Sequence, residues 1–218
     1  MLTFTDEREE RIDLDPEIFI IAGYTGRDRA NVQKHIDELA REGIAPPPEV
    51  PMWYEMPATI LSGAGTIDVP TAQTCGEVEP VLIGIGDDLY LGIGSDHTAR
   101  DVEREDIAKS KRVCPKPLGR TIIRIGTPDA AFDAIRLESA IDGEPYQAGT
   151  FAQITPLATL LAGFRQRQSA TRFVLFCGTV PLLTHGFRFG RSFAARIHGG
   201  PLAAPLALEY AVTQEQHG

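Results

Sequence analysis

Cysteine and long apolar segments are scarce in this sequence, and both absences narrow the protein's class. The three cysteines, at positions 75, 114 and 177, lie far apart and form no CxxC pair. An odd number of cysteines without metal-ligand spacing is typical of a reducing compartment, so we expect a cytoplasmic protein. No apolar run approaches the roughly 20 residues of a membrane span, and the acidic N-terminus lacks the basic and apolar regions of a signal peptide. We therefore expect no membrane partner.

Positive charge is also in short supply. The 218 residues include 21 Lys and Arg against 30 Asp and Glu, which gives a formal net charge of −9. Nucleic acids and anionic membranes reward clustered Lys and Arg, so neither is expected as a partner, although a local pocket for a small anion is compatible with the sequence. The chain has no repeats, low-complexity tracts or long linkers, and we expect a single domain of residues 1–218.

Short apolar runs separated by glycine and proline predict a mainly β or α+β fold, with a mixed sheet wrapped on itself. The clearest helix is predicted at residues 27–42, where apolar residues recur at helical spacing and Gly43 is placed to end it. A second helix is predicted at 156–167, and residues 101–111 form either a helix or an irregular loop. The predicted strands are residues 2–5, 11–14, 18–22, 52–54, 59–61, 67–69, 77–85, 89–94, 121–125, 134–141, 173–177, 193–198 and 206–212.

The tripeptide Glu77-Val78-Glu79 is the most informative local feature. Side chains alternate faces along a strand, so Glu77 and Glu79 share a face with an apolar row that follows them at Val81, Ile83 and Ile85. Two carboxylates at the head of a core-facing row repel each other and resist desolvation unless a cation neutralises them. The third oxygen ligand for such a cation is predicted at Asp96, and this pattern indicates a hard divalent ion and an enzyme.

Longer stretches resemble the fumarylacetoacetate hydrolase family. SDHTARDVE, which contains Asp96, resembles the family's NDVTARD segment, whose first Asp is a metal ligand, and the upstream Glu-x-Glu resembles its other two ligands. Further similarities follow in the family's order from about residue 18 to residue 212. The similar segments are QKHIDELA (a lid helix with a His-x-x-Glu dyad), APPPEVPMWY, AKSKRVCPKPLG, IDGEPYQAGT and FCGTVP.

The resemblance implies a mixed β-sandwich roll with a few short helices. In that reading residues 1–60 supply N-terminal strands and the lid helix, and residues 61–218 supply the roll. It further implies a homodimer and an Mg²⁺ or Mn²⁺ ion on the three carboxylates. Members of the family hydrolyse, hydrate, decarboxylate or isomerise small 2-oxo or 1,3-dicarbonyl acids, so the implied partner is a small anionic substrate.

The resemblance also assigns roles to single residues. His35 and Glu38 correspond to the dyad that activates water, and Lys109 corresponds to the family's lysine, with Lys111 as the alternative. The implied contacts to substrate are Gln147, Gly178 and Thr179. Our first interpretation is an acylpyruvase-like hydrolase of C–C bonds, in which replacement of a metal ligand removes metal binding and leaves the fold largely intact.

Other interpretations remain open. Hydratase, decarboxylase and isomerase activities of the same superfamily share the early chemistry. A non-catalytic ligand-binding relative is also compatible, because Glu55 stands where the family usually has a lysine. A cysteine-dependent enzyme using Cys177 is the least supported alternative, since no histidine accompanies it locally and buried thiols are commonly inert.

Overall fold

In a computed structural model of the protein, residues 1–41 and 44–214 are described, except for the side chains of His35 and Leu39. The predicted helix end at Gly43 lies outside the described residues. The α-helices are α1 (Arg29–Arg41), α2 (Arg100–Glu103), α3 (Ile107–Arg112) and α4 (Leu157–Arg167). Short 3-10 helices span Ala58–Ile60, Ala130–Ala134 and Phe151–Gln153. No helix within the described part of the chain is long and apolar enough to cross a membrane.

Strands make up most of the regular structure, as the sequence predicts. They are β1 (Leu2–Thr5), β2 (Arg11–Leu14), β3 (Ile18–Gly23), β4 (Met52–Met56), β5 (Leu61–Ser62), β6 (Thr66–Val69), β7 (Thr74–Cys75), β8 (Val78–Ile85), β9 (Asp88–Ser95), β10 (Thr98–Ala99), β11 (Lys116–Pro117), β12 (Ile123–Ile125), β13 (Arg136–Ile141), β14 (Glu144–Thr150), β15 (Arg172–Phe176), β16 (Ser192–His198) and β17 (Leu206–Gln214).

Two large mixed sheets organise the chain. One has six strands in the order β12-β9-β8-β15-β3-β4, and the other has five in the order β14-β13-β16-β17-β6. Strands β8 and β9 form an antiparallel hairpin, and the turn begins at Gly86, whose φ of +63° is a conformation that glycine adopts without strain. Strands β3 and β15 run parallel, so the N-terminal segment belongs to the same sheet as the hairpin.

The six-stranded sheet is buried on both faces. On one face, residues such as Leu82 and Leu91 pack with Leu137 and Phe193 of the five-stranded sheet and form the larger core. The opposite face packs against the β1-β2 hairpin and forms a second core. This core includes Phe19, Val81, Ile83, Val174 and Phe176 of the sheet and Phe4 and Leu14 of the hairpin. Burial on both faces explains why β3, β8 and β15 are nearly continuous apolar runs.

The predicted elements differ from the structure mainly at short segments. Residues 59–61 were expected as a strand, but a 3-10 helix spans Ala58–Ile60 and β5 has only two residues. The ambiguous stretch 101–111 contains two short helices, α2 and α3, and the side chain of Asp106 caps the second by accepting a hydrogen bond from the Lys109 amide at 2.9 Å. These helices place basic residues beside the end of β9.

Candidate active site

The candidate site lies at the end of the β8-β9 hairpin that is opposite its turn. Glu77 precedes β8, and Asp96 follows β9; the amide of Asp96 donates a hydrogen bond of 3.0 Å to the carbonyl of Glu77. Glu79 lies on the same face of β8 as Val81 and Ile83, both of which are fully buried in the second core. The alternation argument is therefore confirmed for this apolar row.

Asp96 is a buried carboxylate shared by two lysines. Its Oδ2 atom accepts a hydrogen bond from Nζ of Lys111, and its Oδ1 atom lies 3.1 Å from Nζ of Lys116. Burial alone would raise the pKa of Asp96, but the two ammonium groups outweigh it and hold the pKa well below its ordinary value. Asp96 is therefore ionised throughout the neutral range.

The two lysines are held differently. Lys116 is completely buried, and its ammonium also donates to the carbonyl of His97. Burial lowers the pKa of Lys116 and outweighs the opposing effect of Asp96. For Lys111 the balance is reversed, because Asp96 and Glu103 raise its pKa more than burial lowers it. The charged form of Lys111 is thus the better stabilised of the two.

Glu77 belongs to a second ion-pair group. The Nη2 atom of Arg100 lies 2.8 Å from Glu77, and its Nη1 atom lies 2.9 Å from Glu103. Phe187 packs on the guanidinium, with 4.0 Å between the Arg100 Cζ atom and the ring centroid. A guanidinium bridging two carboxylates fixes the orientation of both. The ion pairs of this group are thus centred on Arg100.

Glu79 has no such cation. Its carboxylate is buried and accepts a hydrogen bond of 2.7 Å from the Gly178 amide, but it forms no ion pair with any side chain in the described part of the chain. Burial, followed by the negative charge of Asp96, raises the pKa of Glu79 well above its ordinary value. Glu79 is therefore the least compensated anion of the cluster.

Gly178, Thr179 and Gln147 lie next to Glu79 and hold the loop after β15 against β8. Gly178 has φ of +92°, and a Cβ atom there would lie 1.6 Å from Oγ1 of Thr25, so only glycine fits. The Thr179 hydroxyl donates to the Val78 carbonyl at 2.6 Å. The Gln147 amide donates to Thr179 at 2.7 Å and to the Val180 carbonyl at 2.9 Å. These polar atoms position the loop that carries the Gly178 amide.

Two tyrosines border the lysine side of the cluster. Tyr54 of β4 presents its ring 5.8 Å from Nζ of Lys111. Tyr24 follows β3 directly and has φ of +56°, an uncommon conformation for a bulky residue. Burial, followed by the proximity of Tyr24, raises the pKa of Tyr54 to about 12, so its hydroxyl stays protonated. Tyr54 is therefore a hydrogen-bond donor beside Lys111.

His97 and Cys177 are structural. The His97 ring bonds Thr74 Oγ1 at 2.8 Å and Tyr210 OH at 2.9 Å, and burial lowers its pKa to about 3. Both ring nitrogens of His97 are therefore engaged within the protein. Burial raises the pKa of the Cys177 thiol, which is the opposite of what a cysteine nucleophile needs.

Three predicted or noted positions lie away from the cluster. The Lys109 side chain is exposed, and Lys111, the alternative, is the lysine that meets Asp96. Glu38 is 48% exposed and lies 3.9 Å from Lys34 one helical turn away. The side chain of His35 is outside the described residues. Glu55 is exposed on β4, on the face opposite Tyr54.

Carboxylates are the ligand type that a divalent cation prefers, but these three carboxylates do not surround a common point. Mg²⁺ and Mn²⁺ prefer carboxylate oxygens, and the uncompensated charge of Glu79 favours a cation nearby. However, the two oxygens of Asp96 are engaged by ammonium groups, and within residues 1–41 and 44–214 no three His, Cys, Asp or Glu side chains converge closely enough to hold an ion. The metal site at Glu77, Glu79 and Asp96 stays a prediction, as does the homodimer.

Sequence reasoning missed Lys116 and the two tyrosines. Lys116 is buried because β11 pairs with β5, with Lys116 opposite Leu61, and such a long-range pairing leaves no local pattern. The position of Tyr24 directly after a buried strand is only a weak indication that it lies near the site, and its positive φ cannot be predicted from the residue type. Long-range pairing thus decided which basic and aromatic residues reach the site.

Comparison with known proteins agrees with this architecture. A model of the family DUF2848, described as a protein of unknown function, matches residues 22–210. No curated protein matches the chain by sequence.

Solved structures with the same fold include a protein assigned as a fumarylacetoacetate isomerase/hydrolase from Oleispira antarctica, with a TM-score of 0.68 and 19% identity over 98% of this chain and 100% of that one. A 5-carboxymethyl-2-hydroxymuconate delta-isomerase from Mycobacterium smegmatis gives 0.64 and 17%, over 93% and 78%. A protein assigned as a fumarylpyruvate hydrolase from Burkholderia cenocepacia gives 0.64 and 18%, over 99% and 96%. At these identities the likeness establishes the fold.

Proposed function

Because the chain belongs to the DUF2848 family and has the fold of fumarylacetoacetate hydrolases, we propose that it is an enzyme for small 2-oxo or 1,3-dicarbonyl acids. The observation that carries the proposal is the cluster of buried Glu79 and Asp96 with half-buried Glu77 at the end of the β8-β9 hairpin, with Lys111 and Arg100 beside it. Buried charge of both signs is costly to a fold, and such clusters are concentrated at functional sites.

In this proposal, Glu77, Glu79 and Asp96 would hold Mg²⁺ or Mn²⁺. When bound, the ion supplies a Lewis acid for the substrate's carbonyl oxygen. The chain's own residues bind and orient the substrate. Lys111 offers an ammonium to an anionic group, and Tyr54 offers a protonated hydroxyl nearby. The Gly178 loop, fixed by Gln147 and Thr179, keeps Glu79 in place.

The preferred reaction is hydrolysis of a C–C bond. Water adds to the carbonyl beyond the scissile bond, and the electron pair of that bond passes to the oxo-acid half, which then takes up a proton. This reaction needs a base for the water. The proposed base is His35, oriented by Glu38.

A second candidate is isomerisation or decarboxylation of a similar acid. One observation favours it: Glu38 is 48% exposed, and the partner of its carboxylate among the described side chains is Lys34, 3.9 Å away. Isomerisation moves a proton within the substrate and decarboxylation releases carbon dioxide, and neither uses an attacking water. Tyr54, whose ring lies 5.8 Å from Nζ of Lys111, is the hydroxyl that we assign to such proton transfer.

Product analysis with acylpyruvates separates these reactions. Wild-type protein with Mn²⁺ is expected to release pyruvate if it is a hydrolase, carbon dioxide if it is a decarboxylase, and an isomer of equal mass if it is an isomerase. We expect Glu77→Gln to weaken Mn²⁺ binding by about 100-fold, roughly 2.7 kcal/mol, because one anionic ligand is lost. The matched control is Asp87→Asn in the exposed turn of the same hairpin. A wild-type protein that neither binds Mn²⁺ nor converts any such acid would refute the proposal.

A further inference from the structure

The two residues next to Asp96 in the chain bond to one atom of the opposite sheet. The hydroxyl of Tyr210, on β17, lies 2.8 Å from Oγ of Ser95 and 2.9 Å from Nδ1 of His97. All three side chains are buried. Ser95 ends β9 in the six-stranded sheet, whereas β17 belongs to the five-stranded sheet. One hydroxyl therefore joins the two sheets at the residues on either side of Asp96.

The segment that leads into β8 also lies close to this hydroxyl. A Cβ atom at Gly76, the residue before Glu77, would lie 2.3 Å from both the Tyr210 hydroxyl oxygen and Oγ of Ser95. Glycine is the residue used where a backbone must approach another group this closely. The Tyr210 hydroxyl thus lies against the backbone next to Glu77 as well as between the two neighbours of Asp96.

The bonded groups continue from His97 to a lysine of the cluster. Nε2 of the His97 ring bonds to Oγ1 of Thr74 at 2.8 Å, so the ring is held at both nitrogens. The backbone carbonyl of His97 accepts a hydrogen bond from Nζ of Lys116, which lies 3.1 Å from Oδ1 of Asp96. Because the ring and the carbonyl belong to one residue, holding the ring restricts where the carbonyl points. A path of bonded groups thus leads from Tyr210 through His97 to the Lys116–Asp96 pair.

The hydrogen bonds on the two sides of Tyr210 depend on each other. The Tyr210 hydroxyl has one proton, and so has the ring of His97, which burial keeps neutral by lowering its pKa to about 3. Tyr210 therefore donates to one neighbour and accepts from the other, and the position of the His97 proton follows from that direction. Linked hydrogen bonds of this kind strengthen one another, so loss of the hydroxyl affects both neighbours of Asp96.

We propose that Tyr210 is a positioning residue of the site, whose hydroxyl holds Ser95 and His97 and thereby fixes the Asp96 carboxylate against Lys116. The inference rests on the proposed function, because Asp96 belongs to the candidate site, but it requires no bound ion. The contribution of Tyr210 is to keep a charged group in place from the opposite sheet. A displacement of about 1 Å in such a group can lower a reaction rate by about 100-fold.

The test replaces Tyr210 by phenylalanine, which keeps a ring to stack on Phe193 and removes only the hydroxyl. With an acylpyruvate as substrate, we expect Tyr210→Phe to lower kcat about tenfold and to leave KM within about twofold, because substrate still binds while Asp96 is displaced. The matched control is Tyr90→Phe, at a buried tyrosine of β9 near the turn, about 20 Å from Asp96. The control should leave kcat and KM within about twofold of wild type.

A second measurement does not depend on turnover. Tyr210→Phe is expected to shift the NMR signals of the His97 ring nitrogens and of the Asp96 carboxyl carbon, and the control at Tyr90 is expected to shift neither. Ser95→Ala removes one of the hydrogen bonds from its other side and should lower kcat by about threefold. In the double variant, Ser95→Ala should add little to the effect of Tyr210→Phe, because both changes remove the same hydrogen bond.

The outcomes separate this inference from the proposed function. A lower kcat together with a shifted Asp96 signal supports positioning by Tyr210. An unchanged kcat, an unshifted Asp96 signal or additive effects in the double variant overturns it and leaves the proposed function standing. If wild type converts no such acid, the proposed function fails and the Asp96 signal alone decides: a shift supports the inference, and no shift overturns it. Should Tyr210→Phe not accumulate as folded protein, Ser95→Ala replaces it in both measurements.

Discussion

The resemblance assigns the end of the β8-β9 hairpin and helix α1 to one active site, but the two regions differ in how deeply their charged side chains are buried and in how many charged partners they have. At the hairpin, Glu79 and Asp96 are buried and surrounded by charged side chains. On α1, Glu38 is exposed, and its ion pair with Lys34 is 3.9 Å long. The hairpin is thus a rigid site whose charges depend on each other, and α1 is a surface element whose polar residues can change independently.

Among the replacements that test this difference, Asp96→Asn is expected to change the free energy of unfolding most. Asp96→Asn leaves Lys111 and Lys116 without their anion, and breaking a buried charge pair from one side costs about 3–5 kcal/mol. Urea unfolding should show that loss. Asp87→Asn, in the exposed turn of the hairpin, is the control and should change stability by less than about 0.5 kcal/mol. A loss below about 1 kcal/mol for Asp96→Asn would mean that the two lysines have other stabilising partners.

Replacing Glu79 provides a contrast within the hairpin, because we expect this change to increase the free energy of unfolding, whereas replacement of Asp96 decreases it. Glu79 is buried and has no ion-pair partner among the described residues, so Glu79→Gln removes an uncompensated charge, and its amide oxygen can still accept a hydrogen bond from the Gly178 amide. In EDTA, we expect the free energy of unfolding to rise by about 1 kcal/mol, because burial of a polar group costs less than burial of an unpaired charge. The control is Glu55→Gln on the exposed face of β4. Destabilisation by Glu79→Gln would show that Lys111 compensates Glu79 as well as Asp96.

The opposite signs expected for Asp96 and Glu79 also show the limits of prediction from sequence. Alternation along β8 predicts that Glu79 shares a face with Val81, and the structure confirms it. The strands predicted at 77–85 and 89–94 follow from the same apolar pattern, and the structure pairs them as the β8-β9 hairpin. From sequence, however, loss of a metal ligand was expected to spare the fold, because Lys116 and its contact with Asp96 were not visible. That contact depends on the pairing of β11 with β5, which brings together residues more than fifty positions apart.

The lysine of the site illustrates the same limit at shorter range. The AKSK sequence contains two candidates, and resemblance favours Lys109. The N-cap at Asp106 sets where α3 begins, and the helical phase then directs Lys111 inward and Lys109 outward. The residue at which a short helix begins decides which of its side chains point inward. Which lysine reaches the site therefore cannot be predicted until the start of α3 is known.

Replacing Glu38 is the smallest expected perturbation and tests α1 directly. An exposed pair one turn apart contributes about 0.3–0.5 kcal/mol, so Glu38→Gln should change unfolding free energy by no more than that. Asp37→Asn is the matched control, because Asp37 is also exposed on α1 and accepts a hydrogen bond of 2.9 Å from the Gln33 amide one turn away. If the surface arrangement of Glu38 is maintained during turnover, both variants should keep kcat within about twofold of wild type. A large loss of kcat for Glu38→Gln alone, at unchanged stability, would instead show that α1 closes over the hairpin with substrate bound and that Glu38 then orients His35. The difference between the buried charges of the hairpin and the exposed polar residues of α1 would then apply only to the substrate-free protein.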